Sequence, residues 1–247
     1  MSDEPNDDVD VFEQTRPDAP SKQDKRWTVL PPSGLLTIEE ADGLLRWRPA
    51  SIVAVVGERN GGKTTLVTEI YERFLRGPFA QAFFTHSLSL LGFEQKTFQS
   101  RADSGAELPD TPRTSKQDGL RMFHLALTGA IDRRRTDLLI SERAGEVYRE
   151  IRDQPARVKE LIEVKKAASV ALIIDGQRVL DIRRRAEVFA SVRNVLRALA
   201  DGEMIAPTAQ VQLVTTKCDL LDTRQAEDAR DALSEFEERI ATSYAGR

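Results

Sequence analysis

The sequence has one cysteine, Cys218, in 247 residues, which excludes a disulfide framework within the chain. Histidine occurs twice, as His86 and His124. Isolated in this way, they read as packing residues rather than ligands of a metal cluster. No spacing of Ser, His and Asp suggests a nucleophilic triad. Long apolar runs are missing too. The longest, such as residues 170–174, have strand length and fall far short of a bilayer span. The N-terminus is acidic and polar, without the basic and apolar regions of a signal peptide, so a cytoplasmic location is expected. Positive charge is not in excess: 36 Lys and Arg face 40 Asp and Glu, for a net charge of -4. No nucleic-acid partner follows from that balance, although a local basic patch stays open.

What is present is enough chain for one sizeable α/β core. Residues 1–27 carry many Asp, Pro and Lys and almost no aliphatic side chains, so a disordered acidic tail is expected there. A domain is expected over 28–247, its residues 28–50 serving as a lead-in in which Thr37 and Glu40 fit a capping box. Residues 52–56, IVAVV, are continuously apolar, as in a buried parallel strand. Further strands are expected at 81–85, 120–127, 138–140, 170–174 and 211–214. Helices are expected at 63–75, 147–166, 179–199 and 223–240. Strands alternating with helices after residue 57 predict a mostly parallel sheet with helices on both faces.

Chemistry enters at Gly57-Glu58-Arg59-Asn60-Gly61-Gly62-Lys63-Thr64. This is the pattern G-x-x-x-x-G-K-[ST] between a strand and a helix, the context a P-loop requires. The glycines let backbone N–H groups turn toward phosphate oxygens, and the helix N-terminus adds its dipole. Gly57, Asn60, Gly61, Gly62, Lys63, Thr64 and Thr65 are the expected phosphate-binding residues. Lys63 would reach the β- and γ-phosphates, and Thr64 would offer a hydroxyl to Mg²⁺. Glu58 and Arg59 read as exposed loop-tip charges.

Thr216-Lys217-Cys218-Asp219 follows the last predicted strand at its C-terminal end, where open α/β sheets bind ligands. A carboxylate at Asp219 can accept from guanine N1–H and N2–H₂, a pair that adenine does not offer. The Lys217 stem can lie over the base, and Thr216 completes the loop. An ATPase or small kinase remains the alternative if this match is a coincidence. A strand ending at Leu138-Leu139-Ile140 leads into Ser141-Glu142-Arg143-Ala144-Gly145-Glu146. The loop Pro109-Asp110-Thr111-Pro112-Arg113-Thr114 supplies two candidate switch threonines, Thr111 and Thr114.

T-K-C-D resembles the base motif of translation-factor-like and Ras-like GTPases. The whole set of motifs, with Ile173-Ile174-Asp175-Gly176, is similar to the bacterial double-GTPase group. The resemblance covers roughly residues 30–240. It implies a Ras-like P-loop GTPase domain that binds GTP or GDP with Mg²⁺ and acts beside a partner protein, often another GTPase. It also implies roles. Thr64, Thr114 and Glu142 would serve the metal, Glu142 standing where the family carries Asp. Lys63, Thr114, Gly145 and Glu146 would serve catalysis, Glu146 standing where a water-positioning Gln is common. Asp175 would be structural or switch-supporting, not catalytic. No arginine finger is assigned in cis: Arg59, Arg113 and Arg143 are each candidates, and a partner protein is the alternative source. For the further guanine contact of such GTPases two expectations stay open: Ser243 and Ala245 supply a rudimentary version, or the chain is incomplete. With Glu at both switch positions, slow hydrolysis is expected, and a GTP-binding adaptor with little hydrolysis is the alternative. Arg133–Arg135 and Arg183–Arg185 read as solvated basic runs.

Overall fold

The computed structural model describes residues 33–98 and 116–245. The tail at 1–27, the first residues of the lead-in, and the loop holding Thr111, Arg113 and Thr114 lie outside the described residues.

The lead-in forms α1, Ile38–Trp47, and its capping box is present: Glu40 N donates to Thr37 Oγ1 at 3.2 Å, and Thr37 N to Glu40 Oε2 at 2.7 Å. The apolar run becomes β1, Ala50–Val56, followed by α2, Lys63–Leu75. Then come β2, Ala82–His86; α3, Leu90–Thr97; β3, Arg121–Gly129; and β4, Arg135–Glu142. α4, Gly145–Asp153, leads through a 3₁₀ turn to the short α5, Ile162–Lys165. The chain continues with β5, Ser169–Asp175; α6, Gly176–Leu180; α7, Ile182–Asp201; β6, Gln210–Thr216; and α8, Glu227–Tyr244.

Among the described residues the six strands form one sheet, ordered β2-β3-β4-β1-β5-β6. β4, β1, β5 and β6 are parallel neighbours, while β2 and β3 join antiparallel at one edge. Side-chain alternation along the strands divides the core. Ile52, Ala54 and Val56 face α1, α4, α7 and α8, packing with Leu44, Tyr148, Val192 and Phe236. Val55, Phe123 and Ile140 face α2 and α3, packing with Val67, Tyr71 and Phe93. The expected architecture, mostly parallel with helices on both faces, is the one found.

Four details differ from the sequence reading. β3 and β4 form a hairpin, so strict strand–helix alternation fails there. The expected helix at 147–166 is three pieces, because Pro155 opens a new turn after α4. The helix expected at 179–199 breaks at Asp181, whose side chain accepts from Arg183 N and so starts α7 afresh. α8 begins at Glu227 rather than Thr223, after a 3₁₀ turn.

Candidate functional site

The candidate site lies where β1, β4, β5 and β6 all end. Parallel pairing puts their C-terminal ends on one side, and the turn from Gly57 to Gly62 crosses between them. Gly62 has φ 80°, and a Cβ there would stand 3.2 Å from the Thr216 side chain. Two reasons, the left-handed backbone and the close approach, therefore call for glycine. Asn60 also takes a left-handed conformation, φ 59°.

Lys63 opens α2 and is buried. Its Nζ donates to Glu58 O at 3.1 Å, and Gly61 N donates to the same carbonyl at 3.3 Å. Burial pushes its pKa down, opposed by the carboxylates of Glu142, Glu146 and Glu58. The ammonium is thus held at the loop's centre by an acceptor that a phosphate oxygen can replace. Thr64 and Glu142 are brought together: Thr64 Oγ1 donates to Glu142 Oε1 at 2.8 Å. Glu142 is 1% exposed, at the end of β4, with Lys96 Nζ of α3 3.9 Å from the same oxygen. The extra methylene of Glu relative to Asp carries its carboxylate to the threonine hydroxyl. An oxygen-only pair of this kind suits Mg²⁺ by its donor chemistry.

Gly145 lies against the loop crest. A Cβ there would meet Arg59 N at 2.3 Å, so the start of α4 and the P-loop backbone touch. Glu146, in the first turn of α4, sits 3.6 Å from Arg59 Nε. Thr65 is exposed one residue beyond Thr64.

The loop after β6 is fastened to the P-loop. Thr216 Oγ1 donates to Gly61 O at 2.8 Å. Lys217, at φ 54°, directs Nζ to Asn60 O at 3.0 Å and to Asp175 Oδ1 at 3.0 Å. Asp175 caps α6, accepting from Gln177 N at 3.1 Å, in keeping with a structural part. Asp219 is exposed in the short turn that follows. The turn from Gly57 to Gly62 and the loop after β6 therefore form one continuous lip.

Three assignments change. Glu58 is not a loop-tip charge: its carboxylate accepts from Ser191 Oγ at 2.5 Å, Arg152 Nη1 at 3.0 Å and Arg178 Nη1 at 3.0 Å. Burial raises its pKa, but those hydrogen bonds and guanidinium charges outweigh it and leave the carboxyl below its usual value. Arg143 is not poised over the loop, because Glu163 holds it through Nε at 2.7 Å and Nη2 at 2.9 Å. Ser243 and Ala245 cannot reach the base loop. α8 runs back along β6, and its last turn, at Ala241 and Tyr244, lies beside Val211 at the start of that strand. Sequence reasoning missed Glu58's partners because they lie about a hundred residues downstream and carry no local pattern.

A strand-to-helix turn with a central lysine and a hydroxyl–carboxylate pair has the donor set that the P-loop pattern calls for. Its place in a mostly parallel six-stranded sheet sets the molecule among the P-loop GTPases. A model of the Double-GTPase 2 family matches residues 51–245, most of the chain, and the protein belongs to that family of GTP-binding, GTPase-type proteins. No curated protein matches the chain. Among the described residues no helix is long and apolar enough to cross a membrane.

Proposed function

We propose that the protein binds GTP and GDP with Mg²⁺ and hydrolyses GTP slowly, acting in the cytoplasm as a switch toward a partner protein. The observation that carries this reading is the fastening of Thr216 and Lys217 to the P-loop crest at 2.8 and 3.0 Å. That contact supports reading the two loops as parts of one site, with Asp219 two residues beyond it as the base-selecting carboxylate. Gly57, Asn60, Gly61, Gly62 and Thr65 line or flank the phosphate path, Lys63 takes the β- and γ-phosphates, and Asp219 selects guanine.

Thr64 and Glu142 would hold the metal, which supplies charge neutralisation on the phosphate oxygens. Lys63 and the N–H groups of the loop and Gly145 stabilise charge on the γ-phosphoryl group while water attacks in line. Glu146 lies near that point with Arg59 as counter-charge. Thr114 is proposed as the switch threonine. The engagement of Glu146 with Arg59 favours a second reading, an adaptor that binds GTP and hydrolyses little. Both readings expect guanine nucleotide to co-purify with the protein. Single-turnover hydrolysis with Mg²⁺ separates them. Turnover on the order of 1 s⁻¹ without a partner, an ordinary enzymatic rate, would contradict both, and adenine nucleotide in the purified protein would sink the base assignment.

A further inference from the structure

The end of the sheet opposite the P-loop carries side chains that nucleotide binding does not use. α1 ends there at Trp47, because β1 starts at Ala50 and runs toward the P-loop. α2 returns there at Leu75, and the turn through Phe79 enters β2. The tip of the β3–β4 hairpin lies there as well. Ala50 pairs with Asp137, Ala82 with Gly129, and Ala130 N donates to Gln81 O at 2.8 Å. Three connections, distant in sequence, thus meet at one end.

Each sets arginine beside an exposed apolar side chain. Trp47, 74% exposed, stands between Arg46 and Arg48. Ile131, 83% exposed, precedes Arg133 and Arg134 on the hairpin tip. Phe79 and Phe83 face the guanidinium groups of Arg73 and Arg133 at 5.5 and 5.9 Å. Three carboxylates of this end have local partners, two of them arginine side chains. Asp42 pairs with Arg46 at 2.6 Å, Asp137 with Arg135 at 2.8 Å, and Asp132 Oδ1 accepts from Arg134 N at 3.0 Å. α2 adds Glu72 one turn before Arg76.

We propose that this end of the sheet docks on a membrane surface, its arginines meeting anionic lipid headgroups and Trp47 and Ile131 entering the interface. In a chain of net charge -4, a basic end is a segregation of charge rather than a by-product of composition. Hairpin tips favour Gly, Asn and Asp, and no fold requirement accounts for an isoleucine exposed to this degree. Tryptophan belongs at bilayer interfaces, and arginine stems lie along apolar surface while the head group stays wet. Nucleic acid would explain the arginines and would stack on aromatics, but it leaves the aliphatic Ile131 without a part. The seven residues of β1 hold the nucleotide cleft roughly 20 Å from this end, so lipid and nucleotide can be bound together.

The test uses the full chain, with and without GDP, sedimented with vesicles of phosphatidylcholine alone or mixed with phosphatidylglycerol. Binding is expected only to the anionic vesicles, weakening as salt rises. The pair Arg133→Ala and Arg134→Ala should lower partitioning about 25-fold, at about fivefold per charge near such a surface. Trp47→Ala with Ile131→Ser should lower it at least tenfold. GDP affinity and thermal midpoint in these variants report that the fold is retained. No binding to anionic vesicles, equal binding to neutral ones, or tighter retention of a single-stranded oligonucleotide through the same arginines would overturn the assignment.

Discussion

Lys63 and Asp219 are proposed for different work, phosphate binding and base selection, and substitution separates the two. Lys63 is buried and donates to Glu58 O, so the thermal midpoint of Lys63→Ala is measured beside its nucleotide affinity to show that the fold is kept. Triphosphate affinity should fall at least a hundredfold by calorimetry, since a hydrogen bond to a charged group contributes about 1.5–3 kcal/mol and this one also meets a full charge. Unchanged affinity would remove the phosphate site from this loop. Asp219→Asn tests the base. The amide repels the guanine amine and donates to the 2-oxo group of xanthine. GTP affinity should fall roughly a hundredfold, about 2–3 kcal/mol for two mismatched hydrogen bonds, and XTP affinity should rise. A variant that keeps full GTP affinity and gains none for XTP places base recognition elsewhere.

At the scale of elements, Glu58 binds the P-loop to α4 through Arg152, to α6 through Arg178 and to α7 through Ser191. Glu58→Ala takes one carboxylate from two partly buried guanidinium groups, of which Arg152 keeps Asp153 and both keep the more exposed Glu187. Denaturant unfolding should show a loss of about 2 kcal/mol, below the 3–5 kcal/mol of a fully buried pair because the site is partly hydrated. Glu58→Gln, which can keep the Ser191 contact, should lose less. Since the folded pKa of Glu58 lies below its ordinary 4.5, its contribution is complete above that value and fades as pH falls through the folded pKa. A Glu58→Gln variant should therefore lose less stability than the parent across that acid range.

The elements also show what sequence patterns carry. β1 and β5 were legible because strands buried on both faces read as unbroken apolar runs, and the Thr37–Glu40 box announced α1. The P-loop was legible because its chemistry is local. α3 was not: Leu90 and Leu91 are exposed while Gly92 and Phe93 are buried, so no helical period shows. The β3–β4 turn, Ala130 to Arg134, lacks the Asn-Gly or Asp-Gly signal of a tight hairpin. Burial of β3 on both faces also erases its alternation. The break at Asp181 is hidden inside a continuous helical pattern. Pairing of Thr64 with Glu142, across 78 positions, is a product of strand order that no window of sequence contains.

For the whole molecule, pH should act on folding through the buried His124–Asp137 pair. Leu88 N donates to His124 Nδ1 at 2.9 Å, and His124 Nε2 lies 3.1 Å from Asp137 Oδ1. The ring is therefore neutral, with its proton on Nε2. Burial pushes its pKa below the ordinary 6.5, against the pull of Asp137. Below that ordinary value the unfolded chain takes up a proton that the folded chain refuses, so stability falls with pH. Chemical denaturation between pH 7.5 and about 5, spanning the histidine range, should show a decline that is shallower in His124→Gln. An equal slope in the variant would assign the decline to other groups.

The sheet order bears also on how the protein is made. β1 lies at the centre, yet its partners β4 and β5 end only at Glu142 and Asp175. At about 5–20 residues per second on a ribosome, roughly ten seconds separate the emergence of β1 from that of its second neighbour. Until β4 emerges, Ile52-Val53-Ala54-Val55-Val56 has neither of its partner strands, and its second edge stays open until β5 follows. It is a short, uncharged, β-prone segment of the kind that pairs with other chains. The central strand that leads into the turn from Gly57 to Gly62 is thus also a segment open to pairing with other chains during biogenesis, and faster elongation shortens that exposure.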